Sequence, residues 1–261
     1  MNHRRMKIPA AQTVLALAWL ALLLPIAQAP AAEASHPAPG RGIMWLVSPL
    51  AGFNRDELAV RSGPGGQQVS TETETAPMYG LFAMMAHPRI VINDYLFYTE
   101  PNNADVLGNL FYANLYGDPD AILTWNLGGG HMYHKIKPPR EDIRVQVPMV
   151  KAGPIVRIKP WGVTINPYFS YAWERIETLR SSSKNDSYLY GLTVDWRWRM
   201  INLNVKYYYQ DSLGDYEDYN NVFARLVFAF NRNFGAMLRF DYMEHVVTDD
   251  TSIMVGPVFI F

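Results

Sequence analysis

The chain has no cysteine among its 261 residues. Disulfides, thiolate nucleophiles, zinc–thiolate centres and lipid attachment through an N-terminal cysteine are therefore excluded. Charge is also scarce. Asp, Glu, Lys and Arg make up 18 % of the chain, below the quarter or so usual for a soluble domain. The net charge of −1 leaves no basic excess for nucleic acid. Beyond the first thirty-odd residues no apolar run approaches the ~20 residues a membrane helix needs, so crossing by helices is excluded. Aromatic residues, by contrast, reach 13 %, with Tyr the commonest. Many aromatics beside few charges suit a surface that meets lipid headgroups.

The start of the chain reads as a secretory signal. Arg4, Arg5 and Lys7 precede an apolar run from Val14 to Leu24, Pro25 breaks it, and Ala32-Glu33-Ala34 offers a small-x-small cleavage site before Ser35. Ala27-Gln28-Ala29 also fits but would leave Pro30 first. Arg4-Arg5 lacks the apolar residues that should follow a twin-arginine signal. The domain plan is a signal peptide over 1–34, a short disordered lead-in over 35–41 and one β domain over 42–261. Cleavage would remove three basic residues and one acidic residue, leaving the mature chain near −3.

Period-two alternation dominates the second half. Leu192, Val194, Trp196 and Trp198 alternate with Gly191, Thr193, Asp195 and Arg197. Ile201, Leu203, Val205 and Tyr207 alternate with Asn202, Asn204, Lys206 and Tyr208; Leu238, Phe240 and Tyr242 alternate with Met237, Arg239 and Asp241. Segments of about ten residues with one apolar and one polar face predict strands between lipid and a polar lumen. Backbone groups cannot stay unpaired in hydrocarbon, so such a sheet must close on itself.

Connections alternate in expected length. Going back from the C-terminus, long segments at 245–251, 211–220, 179–187, 134–142 and 61–77 are interleaved with short ones at 231–233, 199–200, 159–160, 117–119 and 87–88, with 100–105 intermediate. That predicts an all-β, antiparallel, up-and-down transmembrane barrel of about twelve strands with both termini periplasmic. Trp161, Trp198, Phe230, Phe234 and Phe261 fall on the outward parity beside short turns, where an interfacial girdle belongs. Tyr171, Trp173, Tyr188, Tyr209 and Tyr242 fall near the long loops.

Ile253, Val255, Phe259 and the terminal Phe261 resemble the last strand of bacterial outer-membrane β-barrel proteins. The resemblance covers that strand and the general layout, and Pro257 departs from it. It implies recognition by the barrel assembly machinery through Phe259 and Phe261, residence in the outer membrane, and contact with its lipid and lipopolysaccharide.

The first half carries apolar residues on both parities. Either its strands face a greasy or plugged lumen, or the register drifts through bulges at Gly80, Gly108 and Gly153. A soluble β-sandwich would also give two-sided strands, but it leaves the outward aromatics unexplained.

Glu174, Asp195, Arg197, Lys206, Arg225, Arg239 and Asp241 are the expected lumen charges. They read either as a solute-selecting constriction or as a salt-bridged filling, and their mixed signs predict no strong ion selectivity. His131 and His134 are three apart, which on a strand puts them on opposite walls and argues against a shared metal. His245, with Glu244, Asp249 and Asp250 near it, is the candidate for a rim site acting on lipids. Asp211, Asp215, Glu217 and Asp218 could bind divalent cations or simply be solvated. Gly63-Pro64-Gly65-Gly66 has no lysine after it and is not a phosphate loop. No cofactor or metal is expected. The leading expectation is a passive pore or a substrate-specific channel for small, even apolar, solutes. A lipid-modifying rim enzyme and a structural or adhesive barrel are the alternatives.

Overall fold

The computed structural model describes residues 43–61, 68–101, 104–137, 142–213, 218–244 and 248–261. The expected signal peptide and lead-in lie outside them. The described chain forms twelve strands: β1 (Met44–Arg61), β2 (Gln68–His87), β3 (Ile90–Thr99), β4 (Asp105–Tyr116), β5 (Leu123–Lys137), β6 (Ile143–Ile158), β7 (Val163–Glu177), β8 (Ser182–Trp198), β9 (Ile201–Ser212), β10 (Tyr219–Ala229), β11 (Phe234–Glu244) and β12 (Thr248–Ile260). Each pairs with its chain neighbours and β12 pairs antiparallel with β1, so the sheet is a closed up-and-down barrel. Trp45 and Phe261 exchange backbone hydrogen bonds of 3.1 and 3.0 Å at the terminal end of that seam.

Side chains split by parity. Leu81, Leu96, Leu127, Val150, Leu192, Leu226, Leu238 and Val255 are exposed on the outer wall. Soluble surfaces rarely carry so many such residues on one wall, whereas hydrocarbon accepts them. Along β8, the path from Trp198 to Tyr188 rises roughly 25 Å at a rise of ~3.3 Å per residue and a tilt of about 40°, the height of such a band.

The inner wall resolves the ambiguity of the first half. Leu46, Leu50, Met78, Phe82, Tyr95, Phe97 and Leu110 are buried inside the barrel. Parity is hard to read there because both walls are apolar, not because the register drifts. β2–β3 and β3–β4 pair continuously through Gly80 and Gly108, and the β6–β7 register is the same on both sides of Gly153.

Prolines interrupt the ladder in facing pairs. The β1–β12 ladder passes Val47↔Phe259 and resumes at Ala51↔Val255, a register that sets Pro49 opposite Pro257. The β6–β7 ladder passes Ala152↔Phe169 and resumes at Val156↔Ile165, setting Pro154 opposite Pro167. Each pair lacks both N–H groups at one rung, and inward polar side chains take up carbonyls left over. Ser48 Oγ donates to the Pro257 oxygen at 2.7 Å. Asn166, with its amide nitrogen turned toward them, donates to the Pro154 and Pro167 oxygens at 3.1 Å each. A buried carbonyl left unpaired would cost about 1–3 kcal/mol.

The connections differ from expectation. β2 begins at Gln68, and the β1–β2 ladder continues to Arg61↔Gln68, so most of the expected 61–77 loop is strand. This hairpin outruns both neighbours: β3 meets β2 only from Met78, and β12 meets β1 only as far as Leu58. The Ser/Thr/Glu stretch has no apolar alternation to announce a strand, yet β-branched Thr favours extended backbone. β8 starts at Ser182 and β12 at Thr248, inside other expected loops. Conversely, the expected short turn at 117–119 extends from Gly117 to Ile122. The twelve strands stand, but the contrast between long and short connections is weaker than the sequence suggested.

Candidate functional site: a lumen crossed by cations on aromatic rings

Inner-wall side chains from opposite sides of the barrel meet at mid-height. β9 carries Lys206 inward and β4 carries Tyr112, and five steps around the sheet separate these strands. Lys206 Nζ nevertheless lies 4.0 Å from the Tyr112 ring centroid. Arg239 on β11 covers Tyr95 on β3, with Cζ 3.7 Å from the centroid. Arg225 on β10 covers Phe82 on β2 at 4.7 Å and reaches Met84 Sδ at 3.9 Å. A cation over an aromatic face is worth about 0.5–2 kcal/mol, more as water is excluded.

Glycines on neighbouring strands make room for the rings. Tyr112 pairs with Gly130 and Tyr168 with Gly191. A Cβ on Gly130 would come within 2.6 Å of the Tyr112 ring, and one on Gly191 within 2.0 Å of the Tyr168 ring. Phe97 lies over Gly108 in the same way, at 2.0 Å. An aromatic lying flat across a cross-strand glycine covers the bare backbone and fixes the ring's direction. The Gly128-Gly129-Gly130 run accordingly continues as regular strand within β5.

The charged groups have distinct settings. Arg239 Nε donates to Asp241 Oδ2 at 2.7 Å, and both residues are buried. Tyr95, under Arg239, donates its hydroxyl to Met254 Sδ at 3.0 Å. Asp195 accepts from Asn204 Nδ2 at 2.7 Å, and Glu174 from Asn185 Nδ2 at 3.4 Å. Arg197 stands exposed near the Arg199-Met200 turn. Among the described residues, Arg239–Asp241 is the ion pair formed within this set. Lys206 and Arg225 rest on rings instead, so a lumen filled by general salt bridging is not what is found.

Lys151, Tyr95, Tyr112, Tyr168, Tyr208 and Phe82 complete the cluster; the alternation puts Tyr208 on the parity of Lys206, and none of the six is among the expected lumen charges. Inward parity and a glycine at the paired position are the sequence signals that mark Tyr112 and Tyr168. Lys151 Nζ lies 5.0 Å from the Tyr168 centroid and 6.0 Å from that of Tyr112. Toward the terminal end, Thr164, Thr193, Asp195, Asn202 and Asn204 keep partial exposure and give the inner wall a polar approach.

On the outer wall Trp161, Trp198, Phe230, Phe234 and Phe261 are exposed beside the terminal-end turns, together with Trp45 and Trp125. Phe228, Phe230, Phe234 and Phe259 form a chain of ring contacts of 5.3–5.8 Å across the hairpins. At the loop end, tyrosines donate to carboxylates: Tyr171 to Asp186 at 2.6 Å, Tyr209 to Asp218 at 2.5 Å and Tyr242 to Glu244 at 3.0 Å. A phenol with its ring toward lipid and its hydroxyl on a carboxylate is amphipathic in the sense an interface requires.

His131 and His134 fall on opposite walls. His134 is buried 5.5 Å from Phe97, and His131 stacks 6.5 Å from Tyr133. His245, Asp215 and Glu217 lie outside the described residues. Glu244 is engaged structurally, accepting from Asn220 N at 2.7 Å and Asn220 Nδ2 at 3.0 Å as well as from Tyr242.

No family model matches the sequence, and no curated protein matches it. Solved structures do. The chain is similar to the translocator domain of the autotransporter NalP from Neisseria meningitidis, with a TM-score of 0.51 and 12 % identity over 97 % of each chain. It is also similar to the NanC porin, with a TM-score of 0.53 and 12 % identity over 81 % of this chain and 98 % of that one. At such identity the likeness concerns the fold alone. The closed twelve-strand sheet and its exposed apolar band thus have the fold that these structures share, that of outer-membrane β-barrels.

Proposed function

We propose that this barrel is an outer-membrane channel for small solutes whose lumen is closed at rest by cations laid across aromatic rings. The observation that carries the reading is the 4.0 Å contact of Lys206 with Tyr112 from opposite sides of the barrel. The fold itself serves both a porin and an autotransporter translocator, so the lumen contacts must decide. Their energetics favour a gate over a permanent filling. Three such contacts at about 0.5–2 kcal/mol each can be exchanged for contacts with a solute, whereas an interlocked apolar core loses about 2–5 kcal/mol for each large side chain displaced. On this reading residues 1–34 direct export, Phe259 and Phe261 are read by the assembly machinery, the terminal end faces the periplasm, and lipid with lipopolysaccharide surrounds the outer wall.

Planar bilayers test the gate. The purified, refolded wild-type protein should conduct rarely. Replacing both Lys206 and Tyr112 by Ala removes one bar of the closure. At about 2 kcal/mol for that contact the open fraction should rise roughly thirtyfold. A folded double variant that stays as silent as the wild type would rule the gate out and favour a purely structural barrel.

A further inference from the structure

We infer that Lys151, Lys206 and Tyr168 form a lumenal binding site for a small carboxylate with a flat apolar body. The two ammonium groups straddle the same pair of rings. Lys206 Nζ is 4.0 Å from the Tyr112 centroid and 6.0 Å from that of Tyr168, while Lys151 Nζ is 6.0 and 5.0 Å from them. Lys206 is also 5.2 Å from Tyr208 and 5.7 Å from Phe223, whose rings stack at 5.9 Å. Four aromatic faces therefore surround two cations.

Two like charges held in one apolar region repel each other and are costly to bury without counter-charge. The lumenal carboxylates take their hydrogen bonds from groups other than these two lysines. Asp241 is paired with Arg239, Asp195 accepts from Asn204, and Glu174 accepts from Asn185. Among the described residues neither lysine makes an ion pair or a hydrogen bond. A second, independent observation comes from Tyr168, whose hydroxyl is buried without a hydrogen-bond partner. The residue as a whole is 7 % exposed and Lys151 9 %. Buried polar groups are normally satisfied, and an orphan hydroxyl on a ring shared by two lysines that lack a hydrogen-bonded counter-ion points to a partner that both accepts hydrogen bonds and carries negative charge.

A carboxylate meets both demands, with two oxygens for the ammonium groups and the phenol. Tyr112, Tyr208 and Phe223 would stack on a planar body, which selects against small hydrated anions such as chloride or phosphate. Lys206 and Tyr112 keep partial exposure while Lys151 and Tyr168 are buried, so the ligand would enter from the Lys206 side. Binding there would draw Lys206 off Tyr112, which rests on the closed-channel reading and would make the solute its own key.

Benzoate and its neutral isostere benzamide, titrated calorimetrically into the full refolded barrel in non-ionic detergent, test the site. Benzoate should bind and benzamide should not, with phosphate failing to compete. Lys206→Met or Lys151→Met should weaken benzoate by roughly tenfold to a hundredfold, Lys206→Arg should retain most of the binding, and Tyr168→Phe should lose a smaller part. Equal binding of benzoate and benzamide, or no binding of either by the wild type, overturns the site even if every variant misfolds. Loss of benzoate binding with the Lys206/Tyr112 variant still conducting would remove the site and leave the gate. Benzoate binding with a silent variant would do the reverse.

Discussion

Gly256→Val should abolish the folded barrel. The β1–β12 seam is where the first and last strands meet, and it is drawn tight by glycines. A Cβ on Gly256 would stand 1.8 Å from the Pro49 carbonyl oxygen and 2.9 Å from its carbon. One on Gly52 would stand 1.9 Å from the Ile253 oxygen. Both obstacles are backbone, so no rotamer change relieves them and the strands themselves must part. Gly256 also lies in the stretch where the ladder lapses around Pro49 opposite Pro257, and Ser48 supplies a bond there. Opening the seam would expose strand edges to hydrocarbon, where each unpaired group costs several kcal/mol. The compact, heat-modifiable band of a folded barrel should therefore be missing on unheated SDS gels for Gly256→Val, and Gly52→Val should fail likewise. Gly129→Ala is the control. Its Cβ would meet nothing nearer than the Met149 oxygen at 3.0 Å, a contact that small shifts relieve, so this variant should fold. A Gly256→Val protein that migrates as a compact barrel would show that the seam does not close as described.

What could be read from the sequence follows from where the two walls differ in polarity. In β8, β9 and β11 apolar residues alternate with Asp195, Lys206 and Arg239, so parity alone assigns the faces and twelve strands follow. In β1, β2 and β3 the inward set includes Leu46, Leu50, Met78, Phe82 and Phe97, and parity carries no contrast between such a wall and lipid. The strand over 68–75 is not announced by the sequence for the opposite reason, since Gln, Ser, Thr and Glu predominate on both of its parities. The partners of the lumen charges were out of reach for a geometric reason. Parity tells which wall a side chain joins, whereas the meeting of Lys206 with Tyr112 depends on closure bringing β9 across to β4. Only register makes Gly130 and Gly191 informative, by placing them opposite Tyr112 and Tyr168.

Asp241→Ala should be the most destabilising single substitution of a lumenal charge, whereas replacing both Asp241 and Arg239 with apolar residues should cost much less. Arg239 and Asp241 are 8 % and 2 % exposed and share one 2.7 Å hydrogen bond. Two residues apart on one strand, they project from the same wall. Removing the carboxylate leaves a buried guanidinium whose remaining partner is the Tyr95 ring at 3.7 Å. A single cation–aromatic contact, worth about 2 kcal/mol at best, does not offset the loss of a buried partner, which typically costs about 3–5 kcal/mol. The net expectation is a loss of about 3 kcal/mol in equilibrium urea unfolding from phospholipid vesicles. The Arg239→Met/Asp241→Leu double variant removes both charges and keeps their volume. Exchanges of that kind are often neutral or better, so it should retain most of the wild-type stability, and the cycle should be strongly non-additive. Equal losses for the single and double variants would mean that water reaches the pair and screens it. The lumen would then be open at that level, and both the Arg239–Tyr95 bar and the closed resting state built on it would have to be given up.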